Sequence, residues 1–239
     1  MWLSPDEWDA LWLSAKVASC AMVLCLPFGI GLAWLLERGR VPGKFLVDAL
    51  VQLPMVLPPV VPGYLLLLLL GTQGPLGGWL QSQFGIVVAF TWKGAALASA
   101  VMAFPLMLQP IRLALRLIDA RLENAATTLG ANPWRVFLTI TLPLTMPGIV
   151  AGSMLSFARS LGEFGATMAF VGNIPGETRT LPLAIYSLTH TPNGEAGAMR
   201  LTLLSIGLAV AALLLSHWIS RRAERALGFA DHRTQHAEL

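Results

Sequence analysis

Charge is scarce in this sequence. Of its 239 residues, 12% are charged and 55% are hydrophobic, and the mean hydropathy is +0.66. A soluble globular domain carries about 25% charged residues, so the composition excludes an ordinary soluble protein. It predicts an all-α, polytopic membrane protein: a transmembrane helical bundle with a single membrane domain over residues 1–239.

Cysteine and histidine are also rare, and neither forms a recognisable site. Cys20 and Cys25 lie in one apolar segment without metal-binding neighbours, and we expect both to be small buried residues rather than a disulfide or metal ligands. The four histidines form no cluster at helical spacing, so the sequence predicts no metal site.

Signatures of catalysis are lacking as well. The segment from Gly39 to Lys44 is one residue short of a phosphate-binding loop and lacks the required Ser or Thr. No serine is paired with His and an acid in a recognisable elbow. We therefore expect no catalytic residue, no cofactor and no ATP hydrolysis by this chain. The basic residues near its end favour a membrane-orientation signal over a nucleic-acid surface.

Long hydrophobic runs are abundant. A helix needs about 20 apolar residues to cross a bilayer. Five segments qualify, approximately residues 11–36, 45–70, 85–108, 147–171 and 201–219. The apolar stretch 183–190 is too short to span, so we expect a partial or interfacial helix there, and a sixth membrane element remains open.

The distribution of Lys and Arg predicts the orientation. Basic residues follow the first and third spans and fill the polar tail (residues 221–239), whereas the N-terminal tail and the loop 71–84 contain none. By the positive-inside rule the N-terminus is then periplasmic, and the C-terminus and the loop 112–143 are cytoplasmic. The first segment is too long for a cleaved signal peptide.

The loop 112–143 is the most polar long interval in the chain, and its pattern predicts a helix, a sharp turn and a second helix on the membrane surface. Apolar residues recur at helical steps over residues 115–129. Gly130 is typical of the left-handed residue that follows a helix end. Asn132 and Pro133 suit an N-cap and the first helical position. Another protein can bind such an element; an ordinary amphipathic linker is the alternative.

The second and fourth segments carry residues that are unusual in a membrane helix. The prolines of the second are Pro54, Pro58, Pro59 and Pro62. Each interior proline removes a helix hydrogen bond and bends the chain, and broken helices are common at transport sites. Kinks packed inside the bundle, without substrate contact, are the alternative.

In the fourth segment, Arg159 and Glu163 share one helix face. Ionisable groups in a span need a partner or a wet cavity. Either the two satisfy each other and fix the bundle, or they line a translocation pathway with Ser156, Ser160 and Thr167, whose hydroxyls can hydrogen-bond an oxyanion.

The loop also resembles the signature of binding-protein-dependent ABC importer permeases. The matching residues are Ala125, Ala126, Gly130, Ile140, Leu142 and Pro143. In that family this loop forms a coupling helix that docks on an ATPase subunit. The family has Glu before the two alanines, whereas this chain has Asn124, with Glu123 one residue earlier, so both are candidates for the polar contact. The resemblance places Glu123, Asn124, Ala125, Ala126, Gly130, Pro133 and Arg135 at the ATPase.

The Pro-rich second segment and the run 157–180 resemble the molybdate permeases of that family, and the resemblance covers nearly the whole chain. It implies the ABC importer permease (MetI-like) fold with about five spans, in a non-catalytic inner-membrane subunit that translocates molybdate. It also implies a homodimer in the lipid membrane, a cytoplasmic ATPase subunit that binds the ATP, and a periplasmic binding protein. A related oxyanion (tungstate, sulfate or thiosulfate) and a stand-alone channel or secondary transporter are the alternatives.

Overall fold

A computed structural model describes residues 4–39 and 42–226, and all regular secondary structure in these ranges is helical. The predicted all-α fold is therefore confirmed. In this part of the chain four helices are long and apolar enough to cross a membrane, and one bent pair of helices makes a fifth candidate. Residues 227–239 of the predicted polar tail lie outside the described residues.

Helix α1 (Pro5–Arg38) covers the first predicted span and extends beyond both of its ends. Ser4 and Glu7 start it with a capping box: the Ser4 hydroxyl accepts from the Glu7 amide at 3.2 Å, and the Glu7 carboxylate accepts from the Ser4 amide at 2.8 Å. Cys25 is buried but Cys20 is exposed. The expectation that both are buried was wrong for Cys20, because residues five apart lie on different faces of a helix.

The second predicted span consists of two helices, α2 (Lys44–Val56) and α3 (Val60–Leu70), which meet at an angle of 110°. Leu57, which precedes Pro58, has an extended backbone with ψ of 147°. A residue before proline is driven out of the helical region, and Pro58 is itself followed by Pro59. The adjacent prolines therefore break the helix, whereas Pro54 is tolerated inside α2.

The third predicted span, 85–108, was placed too early in the chain. Helix α4 (Pro75–Phe84) occupies most of the stretch interpreted above as a loop, and it ends at Gly85, whose φ of +66° is left-handed. Helix α5 (Trp92–Leu117) begins only after Thr91, whose hydroxyl accepts from the Gly94 amide at 3.3 Å. The first residues of the predicted loop 112–143 consequently belong to α5.

The fourth predicted span, 147–171, is also broken. Helix α6 (Ala120–Thr128) and the short helix α7 (Pro133–Val136) come first, and a π-helical turn (Phe137–Thr141) leads into helix α8 (Leu142–Leu161). After a break at residues 162–164 comes helix α9 (Gly165–Val171). Helix α10 (Leu181–Thr189) is the short helix expected near 183–190, and α11 (Glu195–Ala226) contains the fifth predicted span.

Helices α1, α5 and α8 form the centre of the bundle. Met107 and Ile111 of α5 are fully buried there. Gly148 of α8 crosses α5 so closely that an added Cβ would lie 2.5 Å from the Pro110 carbonyl oxygen. Small residues allow this approach of two backbones, as in other membrane helix pairs. Around this centre, α2, α3 and α11 expose large apolar side chains that lipid or another protein must cover.

Candidate functional site

The predicted helix–turn–helix is present at residues 120–136. Helix α6 ends at Thr128, and Gly130 follows with a left-handed φ of +86°. The Asn132 side chain accepts from the Arg135 amide at 2.7 Å, and Pro133 is the first residue of α7. These local signals were read correctly from the sequence because each acts within a few residues of its own position.

This short, polar element exposes several apolar side chains on its surface. Leu129, next to the turn, is 89% exposed, and Leu122 and Trp134 are also exposed. Asn124 and Ala125 are exposed on the same short helix. Such apolar residues among polar ones leave a surface that another protein can cover. We call residues 120–136 the docking element.

Glu123 differs from its exposed neighbours because its carboxylate is engaged inside the chain. One oxygen, Oε2, lies 2.8 Å from Nε of Arg38, the last residue of α1. The other, Oε1, accepts a hydrogen bond from the buried Thr141 hydroxyl at 2.7 Å. Neither contact could be predicted from the sequence, since no spacing rule relates such distant positions.

Further ion pairs surround the same end of α1. The Glu37 carboxylate lies 2.6 Å from Nε of Arg112 and 2.9 Å from Nε of Arg116. Arg112 also pairs with Asp48 of α2. These contacts join α1, α2 and α5 beside the docking element. In the sequence these arginines indicate only the orientation of the spans, and their acidic partners are too distant along the chain to be predicted.

The two breaks in the predicted spans pack against each other. A Cβ added to Gly165, at the start of α9, would lie 2.7 Å from Cβ of Pro59. A Cβ added to Gly63 of α3 would lie 2.5 Å from the Ala166 carbonyl oxygen. The prolines of one segment and the glycines of the other thus bring together two interrupted helices, which is the arrangement found at substrate sites of many transporters.

Arg159 and Glu163 form an ion pair beside this crossing, with 2.7 Å between Nη1 and Oε2. Glu163 also accepts from the Ala166 amide at 2.9 Å through Oε1, so it caps the start of α9. The Glu163 side chain is 1% exposed and the Arg159 side chain 30%. The pair therefore fixes the break in the helix, and only Arg159 retains access to the surroundings.

The other predicted pathway residues divide by burial. Pro58 and Pro59 are exposed, and Pro54 is half-buried. The buried members are Pro62, Ser156, Ser160 and Thr167. Within this single chain the hydroxyls of Ser156, Ser160 and Thr167 are therefore shielded from the surroundings.

A polar cavity of about 440 Å³ lies between α1, α10 and α11, at the end of the bundle opposite to the docking element. Arg200 of α11 lies 2.8 Å from Glu7 of α1 at its wall. Arg179 also lines it, and its Nε donates to Oδ1 of Asn173 at 2.9 Å. The cavity therefore has two guanidinium groups, each held by one partner.

Comparison with known proteins adds a family and several relatives. Residues 26–225 match the model of the "binding-protein-dependent transport system inner membrane component". The molybdenum transport permease ModB of Escherichia coli K12 is 58% identical over 228 residues, which cover 95% of this chain and 100% of ModB. ModB of Haemophilus influenzae is 54% identical, with 93% and 97% covered. The E. coli sulfate transport permease CysW is 34% identical, with 97% and 79% covered.

Two solved importers share the fold. A chain of a bacterial alginate ABC transporter aligns with a TM-score of 0.73 at 18% identity, covering 92% of this chain and 80% of that one. A chain of the MetNI methionine ABC transporter in an inward-facing conformation aligns with a TM-score of 0.64 at 17% identity, covering 91% and 94%.

Proposed function

The chain belongs to the family of inner membrane components of binding-protein-dependent transport systems, and on that premise we propose that it is the permease subunit of an ABC importer for molybdate. The main support is the difference in sequence identity between two relatives. The chain is 58% identical to a molybdenum permease over the full length of that protein, but 34% identical to a sulfate permease. A permease of this kind is a multi-pass protein of the inner membrane.

In this proposal the docking element binds a cytoplasmic ATPase subunit, which holds and hydrolyses the ATP, while this chain has no catalytic role. The exposed Leu129 and Trp134 support a protein contact at that place. The N-terminus is then periplasmic and the C-terminus cytoplasmic, so the end of α1 that carries Arg38 faces the ATPase. The many arginines at this end support the orientation.

The same proposal makes the transporter a homodimer of this permease. The apolar outer surfaces of α2 and α3 provide area for a second copy as well as for lipid. A periplasmic binding protein delivers molybdate to the opposite end of the bundle, where the cavity with Arg179 and Arg200 lies. The breaks at Pro59 and Gly165, which pack against each other, are the hinge-like part of the pathway, and Arg159 is a partly accessible cation beside them.

The primary test is uptake of labelled molybdate in cells that lack this chain and in the same cells after it is restored. We expect uptake to return, to resist excess sulfate and to fall with excess tungstate, an anion of nearly the same size and shape as molybdate. Uptake that sulfate abolishes would assign the chain to sulfate transport. No uptake, with the chain inserted and the ATPase present, would contradict the proposed substrate.

The docking part of the proposal is tested with Gly130→Pro. Proline fixes φ near −65°, which is incompatible with the φ of +86° at this position. We expect the variant to insert and fold normally but to lose molybdate uptake, because the turn that shapes the docking element is destroyed. Gly31→Ala is the matched control, since an added Cβ there meets nothing within 4 Å. Normal uptake by Gly130→Pro would contradict ATPase docking at this element.

A further inference from the structure

We propose that Glu123 is a positioning residue that connects the docking element to the membrane helices, and that Asn124, not Glu123, faces the ATPase. This inference rests on the proposed function, in which movement of the ATPase must reach the spans. It decides between two adjacent residues that the sequence left as equal candidates for the polar contact.

The first connection runs from Glu123 to α1. The Arg38 and Glu123 side chains are 22% and 17% exposed, so their ion pair at 2.8 Å is partly shielded from water. A second Arg38 nitrogen, Nη2, donates to the Ile118 carbonyl oxygen at 3.5 Å, just before α6 begins. Arg38 therefore contacts the docking element at Glu123 and the chain just before it at Ile118.

The second connection runs from Glu123 to the helix that follows the docking element. Thr141 is the last residue of the π-helical turn, and its buried hydroxyl donates to Glu123 at 2.7 Å. The Thr141 carbonyl oxygen in turn accepts from the hydroxyl of Thr145 on α8 at 2.6 Å. One carboxylate thus ties together the end of α1, the middle of α6 and the start of α8.

Asn124 has the opposite environment. It is exposed, and its side chain makes no hydrogen bond with any part of the chain that the structure describes. It lies beside the exposed Ala125 and on the same element as Leu129. A protein that covers these apolar side chains reaches the Asn124 amide, whereas one Glu123 oxygen already accepts from Thr141 and the other already lies in an ion pair with Arg38.

The size of α6 explains why such a connection matters. The helix has nine residues, and a helix shorter than about 12 residues is marginal on its own. The position of α6, and the transmission of its movement to the bundle, therefore depend on contacts with longer helices. Glu123 supplies two of them through a single side chain, so its loss separates the motion of the docking element from that of α1 and α8.

The experiment uses the complete transporter (permease, ATPase subunit and binding protein) in proteoliposomes. Two quantities are measured: the ATPase subunit that co-purifies with tagged permease, and the molybdate taken up per ATP hydrolysed. We expect Glu123→Ala and Arg38→Ala to retain co-purification but to lower uptake per ATP about tenfold, within the usual range of coupling between sites. Asn124→Ala is expected to lower co-purification instead. Glu195→Gln, an exposed carboxylate at the far end of the bundle, is the control.

Exchange of the two charges gives the decisive variant. The double substitution Arg38→Glu with Glu123→Arg restores an ion pair between α1 and α6, and we expect it to recover at least half of the uptake per ATP. The same double variant tests the role of Glu123 even in the case that an alanine variant inserts poorly. An ATPase contact at position 123 predicts the reverse: no rescue, and loss of co-purification for Glu123→Ala but not for Arg38→Ala.

The wild-type chain separates this inference from the proposed function. If the wild-type transporter hydrolyses ATP but takes up no molybdate, the proposed function is wrong, and co-purification of the variants still reports which residue contacts the ATPase. If the wild type transports molybdate and Glu123→Ala transports it with the same yield per ATP, only the role of Glu123 is wrong.

Discussion

Two arginine–glutamate pairs in this chain have nearly the same length and different structural consequences. Arg159 and Glu163 are four residues apart in sequence, and their side chains lie 2.7 Å apart across the end of α8, whereas Arg38 and Glu123 lie 2.8 Å apart between two different helices. The first pair shapes a single break in the chain, whereas the second joins elements that are distant in sequence. The first pair therefore contributes to local structure at the start of α9, and the second is the pair that we propose transmits movement between the docking element and the spans.

The largest effect on stability is expected from Glu163→Ala. The substitution leaves Arg159 without its carboxylate and the Ala166 amide without its acceptor. We expect a loss of about 3 kcal/mol, the lower end of the range for a buried pair, because Arg159 is 30% exposed. Thermal unfolding of the purified protein, followed by tryptophan fluorescence, measures the loss. Glu163→Gln keeps an acceptor oxygen and should cost less. Equal melting temperatures for Glu163→Ala and the wild type would remove the assigned structural role.

A smaller loss is expected from Gly63→Ala, which tests the crossing beside that pair. The new Cβ would lie 2.5 Å from the Ala166 carbonyl oxygen and 2.8 Å from its Cα. Because backbone atoms cannot simply rotate away, overpacking should cost about 2 kcal/mol. Gly31→Ala again serves as the matched control in the same unfolding measurement. If the two variants unfold alike, α3 and α9 do not pack as closely as described.

The smallest effect on stability is expected from Arg38→Ala. Partly exposed ion pairs contribute about 1 kcal/mol or less, and this one lies outside the buried centre of the bundle. The variant should therefore unfold almost like the wild type although its transport per ATP falls. A loss of stability as large as that of Glu163→Ala would erase the distinction between the two pairs.

The local features of the docking element could be predicted from the sequence. Gly130, Asn132 and Pro133 act through backbone preferences that depend on a few neighbouring residues. The long-range contacts could not: nothing near Glu123 in the sequence indicates Arg38 or Thr141 as its partners. Whether the element couples to an ATPase stays a prediction.

The breaks in the spans could likewise be predicted from the sequence only in part. Pro58 and Pro59 predicted an interruption of the second segment, because proline lacks the amide hydrogen, but not the angle of 110° between the two helices. The break at residues 162–164 contains no proline and was missed. It exists because Glu163 caps the next helix and Gly165 must approach Pro59, and only the fold brings these groups together.

The exposure of Leu129 has a consequence for the life of the protein before assembly. A leucine that is 89% exposed leaves an unassembled subunit with an apolar side chain in water. Chaperones and proteases act on exposed apolar surfaces. If an ATPase subunit covers Leu129, as proposed, a permease made in excess of that partner would keep this surface exposed and would be degraded. The contact proposed for assembly would then also limit the number of unassembled subunits.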